Sequence, residues 1–230
     1  MKKYKHLFFD LDHTLWDFAT NERLTLNELY DKYELRLYFK SFNEFYEKYV
    51  PINSALWEKY RNWEIRKIDL SIGRFHQTFL TAGLDNVEMA EEFSNEFVAT
   101  NSQKTNVTPF AFDLLEYLKP RYTMHIITNG FTESQKVKLE RSGLKPFFKK
   151  VFISEEIGVQ KPKKGFFEYA LKSCNARKTE SLVIGDSLEI DILGAKNFGL
   201  DHVYYNPYSI PHEEKVFKEI ASLHELIGWL

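Results

Sequence analysis

Two aspartates, spaced two residues apart, directly follow a short apolar run near the start of the chain. The run is Leu7-Phe8-Phe9, and Asp10 and Asp12 come after it. The loop that follows a strand can turn carboxylates at this spacing towards one point, where they suit a metal site or acid–base chemistry. An apolar run is typical of a strand that is buried on both faces of a parallel sheet. Because ligands bind at the carboxyl ends of such strands, the sequence predicts a site here.

Polar residues also follow three later apolar runs, each with the length of a short strand. These residues are Thr128 and Asn129, Lys161, and the pair Asp186 and Asp191. Since the carboxyl ends of parallel strands share one edge of a sheet, we expect all of them to lie near the first two aspartates. A set of carboxylates suits a hard cation, of which Mg²⁺ is the usual one. A lysine and a hydroxyl suit the oxygens of a phosphoryl group.

The elements that must position these residues alternate between strand and helix. Predicted strands cover 7–9, 124–127, 151–153, 182–184 and 202–205. Pro109 is predicted to begin a helix that Pro120 ends, and Thr132-x-x-Gln135 is predicted to be the capping box of the next helix. This alternation indicates a parallel sheet with right-handed crossovers. We therefore expect an α/β fold with a Rossmann-like, doubly wound parallel sheet at its core.

The segment 18–101 differs from the rest, because it carries helix signals and no clear strand. Ser41-x-x-Glu44, for example, is a capping box in front of an aromatic-rich helix. The many aromatic residues of this segment could form a base-stacking surface, but packing between helices is the simpler explanation for most of them. We predict an inserted α-helical cap domain at 18–101, with the core formed by 1–17 and 102–230.

Composition restricts the class of protein. The chain has 230 residues, of which 43% are hydrophobic, so it can bury a sizeable core in one or two domains. A formal net charge of −2 indicates no bias towards nucleic acid or an anionic membrane, and no apolar run is long enough to span a bilayer. Cys174 is the only cysteine, which excludes an intramolecular disulfide and a multi-cysteine metal site. The basic N-terminal segment is a poor signal peptide, so we expect a cytoplasmic protein.

Four segments resemble the four motifs of the haloacid dehalogenase (HAD) superfamily. Residues 10–14 read DLDHT and resemble its first motif, DxDxT, while 127–129, ITN, resemble the second. The dipeptide at 161–162, KP, resembles the third motif, and 185–191, GDSLEID, resemble the fourth. The order of the motifs, their strand contexts and the insert between the first two all fit, so the resemblance spans the whole chain.

The resemblance implies a chemical role for each matched residue. Asp10 would be the nucleophile that attacks phosphorus and becomes a transient aspartyl phosphate. Asp12 would be the general acid that protonates the leaving oxygen and then the base that activates water. The phosphoryl oxygens would be bound by Thr128 and Lys161, with Asn129 close by.

The resemblance also implies a Mg²⁺ cofactor. Its ligands would be a carboxylate oxygen of Asp10, the backbone carbonyl of Asp12 and the side chain of Asp186. Asp191 would hold Lys161 or a metal-bound water, although a charge on the surface of a helix is the alternative explanation for this residue.

Substrate choice is predicted from the residues around the motifs. The segments 14–18, 126–131 and 185–192 look most like the pyrimidine 5′-nucleotidase branch, whose members dephosphorylate nucleoside monophosphates. Trp16 and Phe18 lead from the catalytic loop towards the cap, where they could stack on a base or simply pack at the hinge. We therefore predict a Mg²⁺-dependent phosphatase, a 5′-nucleotidase that acts on small pyrimidine nucleoside monophosphates.

Other functions fit parts of the same pattern. A phosphoglycolate or sugar-phosphate phosphatase would carry the same motifs, and so would a mutase of the β-phosphoglucomutase kind. The dehalogenases of the family lack the second acid of the DxD pair, so Asp12 argues against that activity. A non-catalytic module that binds ligands or proteins would be expected to have lost an acid or the lysine, and Asp10, Asp12, Lys161 and Asp186 are all present.

Overall fold

A parallel sheet forms the centre of the molecule, which is described here for residues 4–230 of a computed structural model. The strands are β1 (His6–Phe9), β2 (Thr123–Thr128), β3 (Lys150–Ile153), β4 (Ser181–Gly185), β5 (Asp201–Tyr205) and β6 (Lys218–Ile220). Their order is β3-β2-β1-β4-β5-β6, and each neighbouring pair is parallel. Residues 1–3, which begin the basic N-terminal segment, lie outside the described part. The predicted doubly wound α/β class is confirmed.

The helices follow the strands in alternation, apart from a group inserted after β1. The α-helices of the described chain are α1 (Phe18–Lys32), α2 (Phe42–Arg61), α3 (Lys67–Leu80), α4 (Val87–Asn101), α5 (Ala111–Leu118), α6 (Thr132–Arg141), α7 (Ser154–Ile157), α8 (Lys164–Cys174) and α9 (Leu193–Phe198). A π-helical turn at Leu188–Ile192 leads into α9. Within residues 4–230, no helix is both long and apolar enough to cross a bilayer.

The register of β1 brings the ends of the central strands level with one another. Phe9 pairs with Ile126 of β2 and with Ile184 of β4, and the backbone N–H of Asp10 donates to Ile184 O at 2.9 Å. The loops that follow these strands therefore start at one edge of the sheet, where open α/β sheets bind ligands.

Both faces of β1 are buried, as its continuous apolar run predicts. Leu7 and Phe9 belong to one hydrophobic cluster, and Phe8 belongs to another, together with Ile127 and Val183. Successive side chains of a strand point to opposite faces, so the two clusters lie on the two sides of the sheet. Helices that cover both sides hold the end of β1 rigidly.

The chain divides into two compact units, an α/β unit that runs up to Phe18 and resumes at 104–230, and a helical unit at 19–103. The helical unit has its own aromatic core, in which the ring centroid of Phe93 lies 4.8 Å from that of Phe75 and 6.2 Å from that of Phe45. Packing between helices therefore accounts for these three aromatic residues.

The start of α5 differs from the sequence-based prediction. The helix begins at Ala111 rather than at Pro109, and Phe110 before it adopts a left-handed backbone conformation with φ 65°. The chain just upstream is tied to the loop after β1, since Thr108 N donates to Leu15 O at 2.9 Å. This bond keeps the backbone extended and delays the helix.

The end of the chain holds two short elements. The capping box of Ser222 and Glu225 opens a 3₁₀ turn at Leu223–Leu226. The strand β6 was not predicted, because it has three residues and only Ile220 of them is buried. So short a strand shows no alternation that a sequence pattern could reveal.

Candidate active site

A buried lysine joins two aspartates at the carboxyl edge of the sheet. We call Asp10, Lys161, Asp186 and Asp191 the Lys161 cluster. Lys161 Nζ donates to Asp10 Oδ1 at 2.6 Å, to Asp191 Oδ1 at 2.6 Å and to the backbone oxygen of Ile127 at 3.0 Å. Since the lysine side chain is only 2% exposed, these three acceptors replace the water around its ammonium group.

Asp186 completes this cluster from the loop after β4. Its Oδ1 accepts a hydrogen bond from Thr14 Oγ1 at 3.0 Å. One carboxylate oxygen from each of Asp10, Asp186 and Asp191 lies within 4.8 Å of the others. Gly185 makes this approach possible, because a Cβ at that position would lie 2.5 Å from Asp191 Cγ. A larger residue there would push the third carboxylate away from the other two.

The Lys161 cluster contains three carboxyl groups and one ammonium group, so negative charge is in excess when the carboxyl groups are ionised. Burial raises the pKa of Asp10 well above its usual range, against the opposing effect of Lys161. Burial, together with the charge of Asp191, raises the pKa of Asp186 to about 7. Burial lowers the pKa of Lys161, but Asp10 and Asp191 outweigh this effect and the pKa lies above its usual value, so the lysine stays charged. One ammonium group thus faces three carboxylates, an arrangement that favours a second cation.

Thr128, the last residue of β2, and Asn129, which follows it, bind backbone groups through their side chains. Thr128 Oγ1 accepts a hydrogen bond from Gly130 N at 3.0 Å. The Asn129 side chain donates through Nδ2 to Lys161 O at 2.8 Å and accepts through Oδ1 from Lys161 N at 2.9 Å. Asn129 therefore holds the backbone of Lys161, while phosphate binding by these residues stays a prediction.

Asp12 does not join the Lys161 cluster through its side chain but meets two residues of α6. Gln135 Nε2 donates to Asp12 Oδ2 at 2.7 Å, and Lys138 Nζ donates to Asp12 Oδ1 at 2.6 Å. The side chain of Lys138 is 4% exposed and that of Asp12 is 20% exposed. Both oxygens of the carboxylate are therefore fixed by charged or polar partners.

Neither partner of Asp12 was predicted from the sequence. The pattern Thr132-x-x-Gln135 predicts a capping box, and this prediction is wrong: Phe131 is the N-cap of α6 and makes no side-chain cap hydrogen bond, while Thr132 N donates to Glu155 Oε2 at 2.9 Å. Gln135 reaches Asp12 instead. A signal was present, because Gln135 and Lys138 lie three residues apart and so share one face of a helix that directly follows a motif strand.

Comparisons with known proteins identify the family of the chain. The haloacid dehalogenase-like hydrolase family matches residues 4–199. The chain belongs to this family. It is 35% identical to the pyrimidine 5′-nucleotidase PynA of Streptococcus pneumoniae, over 99% of this chain and 95% of that protein. It is 33% identical to the pyrimidine 5′-nucleotidase YjjG of Escherichia coli, over 97% of this chain and 96% of that protein.

A solved structure shows the same fold over the full length of this HAD-like hydrolase. The crystal structure of the HAD-hydrolase YfnB of Bacillus subtilis, bound to magnesium, matches with a TM-score of 0.89 and 31% identity, and covers 99% of both chains. The predicted family is thus confirmed, and so is the predicted enzyme class, phosphoric monoester hydrolase.

The residues of this HAD-like hydrolase fit a divalent cation. The three clustered carboxylates supply oxygen atoms only. A cation bound between them would lower the raised pKa values of Asp10 and Asp186, because it would stabilise their ionised forms. Hard oxygen ligands suit Mg²⁺. Asp191 also lies in this group and binds Lys161, although the resemblance placed it outside the ligand set; its functional role stays a prediction.

The two aromatic residues after the DxD motif differ in burial. Trp16 is fully buried, and its Nε1 donates to the backbone oxygen of Lys104 at 3.2 Å. Its ring therefore offers no exposed face to a base in this structure, and the packing alternative is the one observed. Phe18, which is partly buried, lies 5.9 Å from Trp16 between ring centroids. Lys138 Nζ lies 4.2 Å from the Trp16 ring centroid and 4.9 Å from that of Phe18.

Proposed function

We propose that this HAD-like hydrolase is a Mg²⁺-dependent 5′-nucleotidase that acts on small pyrimidine nucleoside monophosphates. Two relatives that are named pyrimidine 5′-nucleotidases match it over nearly its full length at 33% and 35% identity, and this observation carries the substrate class. The bond between Lys161 and Asp10 carries the mechanism, because it holds one carboxylate at the edge of the sheet where substrates bind. In this proposal residues 18–101 form the cap domain.

Asp10 is the nucleophile of the first step. Its carboxylate oxygen attacks phosphorus, the bond from phosphorus to the leaving oxygen breaks, and the leaving oxygen takes a proton from Asp12. The products are an aspartyl phosphate and the free nucleoside. Lys161 and Thr128 hold the phosphoryl oxygens and stabilise the charge that develops on them.

Water releases the phosphoryl group in the second step. The carboxylate of Asp12 takes a proton from the water as its oxygen attacks phosphorus, and the bond from phosphorus to Asp10 breaks. Inorganic phosphate leaves, Asp10 is a carboxylate again, and Asp12 carries the proton for the next cycle. The covalent intermediate thus divides one difficult displacement into two.

Mg²⁺ would be held by Asp10, Asp186 and the backbone carbonyl of Asp12, with Asp191 beside it. The ion would supply positive charge to the transferring phosphoryl group, and it would offset the burial that opposes ionisation of Asp10 and Asp186.

A panel of phosphate monoesters tests the substrate class. We expect kcat/KM for dUMP, dTMP and UMP to exceed that for phosphoglycolate and hexose phosphates by at least about tenfold, the order of discrimination that one set of pocket contacts provides. A preference for phosphoglycolate or a hexose phosphate would contradict the nucleotide proposal. Conversion of a hexose phosphate into its isomer without release of phosphate would identify a mutase.

Asp10→Asn tests the nucleophile. Hydrolysis of p-nitrophenyl phosphate is expected to disappear, while the circular dichroism spectrum stays that of the wild type. Asp113→Asn is a suitable control, because Asp113 is exposed in the first turn of α5. Equal turnover by Asp10→Asn and the wild type would refute the assignment.

A further inference from the structure

The carboxylate of Asp12 is held by more contacts than a surface ion pair would provide. Surface pairs contribute little, because both side chains are mobile and solvent screens them. Here the ammonium group of Lys138 is buried, and Gln135 binds the second carboxylate oxygen. Asp12 can therefore neither rotate about its last torsion nor exchange one partner for water without breaking one of these hydrogen bonds.

Two aromatic rings in turn hold Lys138. Its ammonium group lies over the rings of Trp16 and Phe18, at 4.2 and 4.9 Å from their centroids, within the range of a cation–π interaction. Trp16 is itself anchored by the hydrogen bond from its Nε1 to Lys104 O. We call Asp12, Gln135, Lys138, Trp16 and Phe18 the Lys138 cluster.

The space that Gln135 occupies exists because residue 130 is a glycine. A Cβ at Gly130 would lie 1.6 Å from Gln135 Nε2 and 2.6 Å from Gln135 Cδ. The loop after β2 therefore leaves room for the amide that reaches Asp12.

We propose that Lys138 and Gln135 are positioning residues that aim the Asp12 carboxyl group at the leaving oxygen, and that Trp16 and Phe18 act through Lys138 and not by contact with the substrate. The inference rests on the proposed function, in which Asp12 donates the proton to that oxygen. Neither the family match nor the named relatives assign a role to these four residues.

The physical reason is that proton donation demands both distance and direction. A general acid contributes about 10²–10⁴-fold only when it lies within hydrogen-bond reach of the atom that it protonates, and a misplacement of about 1 Å can cost about 10²-fold. A substrate whose leaving group departs readily as an anion depends little on that proton. An alkyl oxygen, such as the 5′-oxygen of a nucleoside, depends on it strongly.

Lys138→Met tests this inference with three substrates. It removes the ammonium group and keeps an unbranched apolar side chain beside the two rings. We expect kcat/KM, which reports the steps up to release of the first product, to fall by about 10²-fold for dUMP and glycerol 2-phosphate. For p-nitrophenyl phosphate, whose leaving group is a stable anion, the fall is expected to stay below about tenfold.

Lys136→Met is the matched control, since Lys136 lies on the same helix and also forms an ion pair, with Glu156 at 2.6 Å, but is exposed. Its kcat/KM is expected to stay within about twofold of the wild type for all three substrates, as for an ordinary surface position. Gln135→Met, which removes one hydrogen bond and no charge, should show the same selective loss as Lys138→Met at a smaller size. If Lys138→Met folds poorly, the losses measured for Gln135→Met test the positioning role instead.

Equal losses for the aryl and alkyl substrates would overturn the inference, because they would indicate a structural or phosphate-binding role for Lys138. An unchanged kcat/KM of Lys138→Met for all three substrates would also overturn it. The nucleotide proposal is tested separately by the wild type alone: if dUMP is no better a substrate than glycerol 2-phosphate, that proposal fails, while the ratio between glycerol 2-phosphate and p-nitrophenyl phosphate still decides the role of Lys138.

Discussion

The Lys161 cluster and the Lys138 cluster each join an aspartate from the loop after β1 to a buried lysine, but they balance its charge differently. Lys161 faces Asp10 and two further carboxylates, so the cluster carries an excess of negative charge. Lys138 binds one oxygen of Asp12 and lies over two aromatic rings, and the amide of Gln135 binds the other oxygen of Asp12.

The difference separates a site whose negative charge suits a cation from one in which protein side chains alone hold the carboxyl group. Burial raises the pKa values of Asp10 and Asp186, and a bound cation would oppose this effect. A carboxyl group whose two oxygens are bound by one ammonium group and one amide needs no ion to hold its geometry. Loss of metal should therefore disturb the Lys161 cluster and leave the Lys138 cluster in place.

Lys161→Met should have the largest effect on stability. Removal of one partner from a buried ion pair costs about 3–5 kcal/mol, because the remaining charges stay buried without compensation. We expect a loss of this order in the unfolding free energy, measured by urea denaturation in the presence of EDTA, together with loss of p-nitrophenyl phosphate hydrolysis.

The double variant Lys161→Met with Asp191→Asn is the control for this change. It removes one of the stranded charges, so it should recover part of the stability and none of the activity. A single variant as stable as the wild type would contradict the description of the Lys161 cluster as an ion-pair network.

Magnesium should stabilise the folded protein through the carboxylates of the Lys161 cluster and not through the side chains of the Lys138 cluster. At a hundred times its dissociation constant, a ligand that binds only the folded state adds about 2.7 kcal/mol to the unfolding free energy. We expect Asp186→Asn to lose this gain and Lys138→Met to keep it, as measured by thermal unfolding with and without Mg²⁺. If Lys138→Met also lost the gain, the two clusters would not be separable.

The stability of the metal-free protein should fall as the pH rises from about 4 to about 7. The folded state keeps a proton on Asp186 up to a pKa of about 7, whereas the unfolded chain releases it near the ordinary value of 3.8. One proton of difference changes the unfolding free energy by about 1.4 kcal/mol for each pH unit. Urea denaturation at several pH values in EDTA should show a smaller decline for Asp186→Asn, and an unchanged decline would speak against this cause.

Phe18→Leu should have the smallest effect, and it tests how Lys138 is supported. A cation–π interaction contributes about 0.5–1 kcal/mol at sites that are not fully desolvated, so kcat/KM for dUMP should fall about two- to fivefold, and by less for p-nitrophenyl phosphate. Phe147→Leu is the control, since Lys119 lies 5.0 Å from that ring centroid outside both clusters. The same loss in both variants would refute a specific role for Phe18.

Local sequence was sufficient to predict the strands that carry the chemistry. The apolar runs at 7–9, 124–127 and 182–184 are buried on both faces and need no partner to be recognised as strands. The convergence of Asp10, Lys161, Asp186 and Asp191 could be predicted as well, because each follows a strand end that parallel packing brings to one edge.

The surroundings of Asp12 depended on contacts between distant parts of the chain. Gln135 and Lys138 lie 123 and 126 residues from Asp12, and the Thr132-x-x-Gln135 pattern favoured a local capping bond that the fold does not make. The burial of Trp16 likewise follows from its contacts with Lys104 and Lys138. Spacing along a strand or helix determines which residues share an edge of the sheet or a face of the helix. It does not determine which carboxylate Gln135 and Lys138 reach, because that depends on how α6 packs beside the loop after β1.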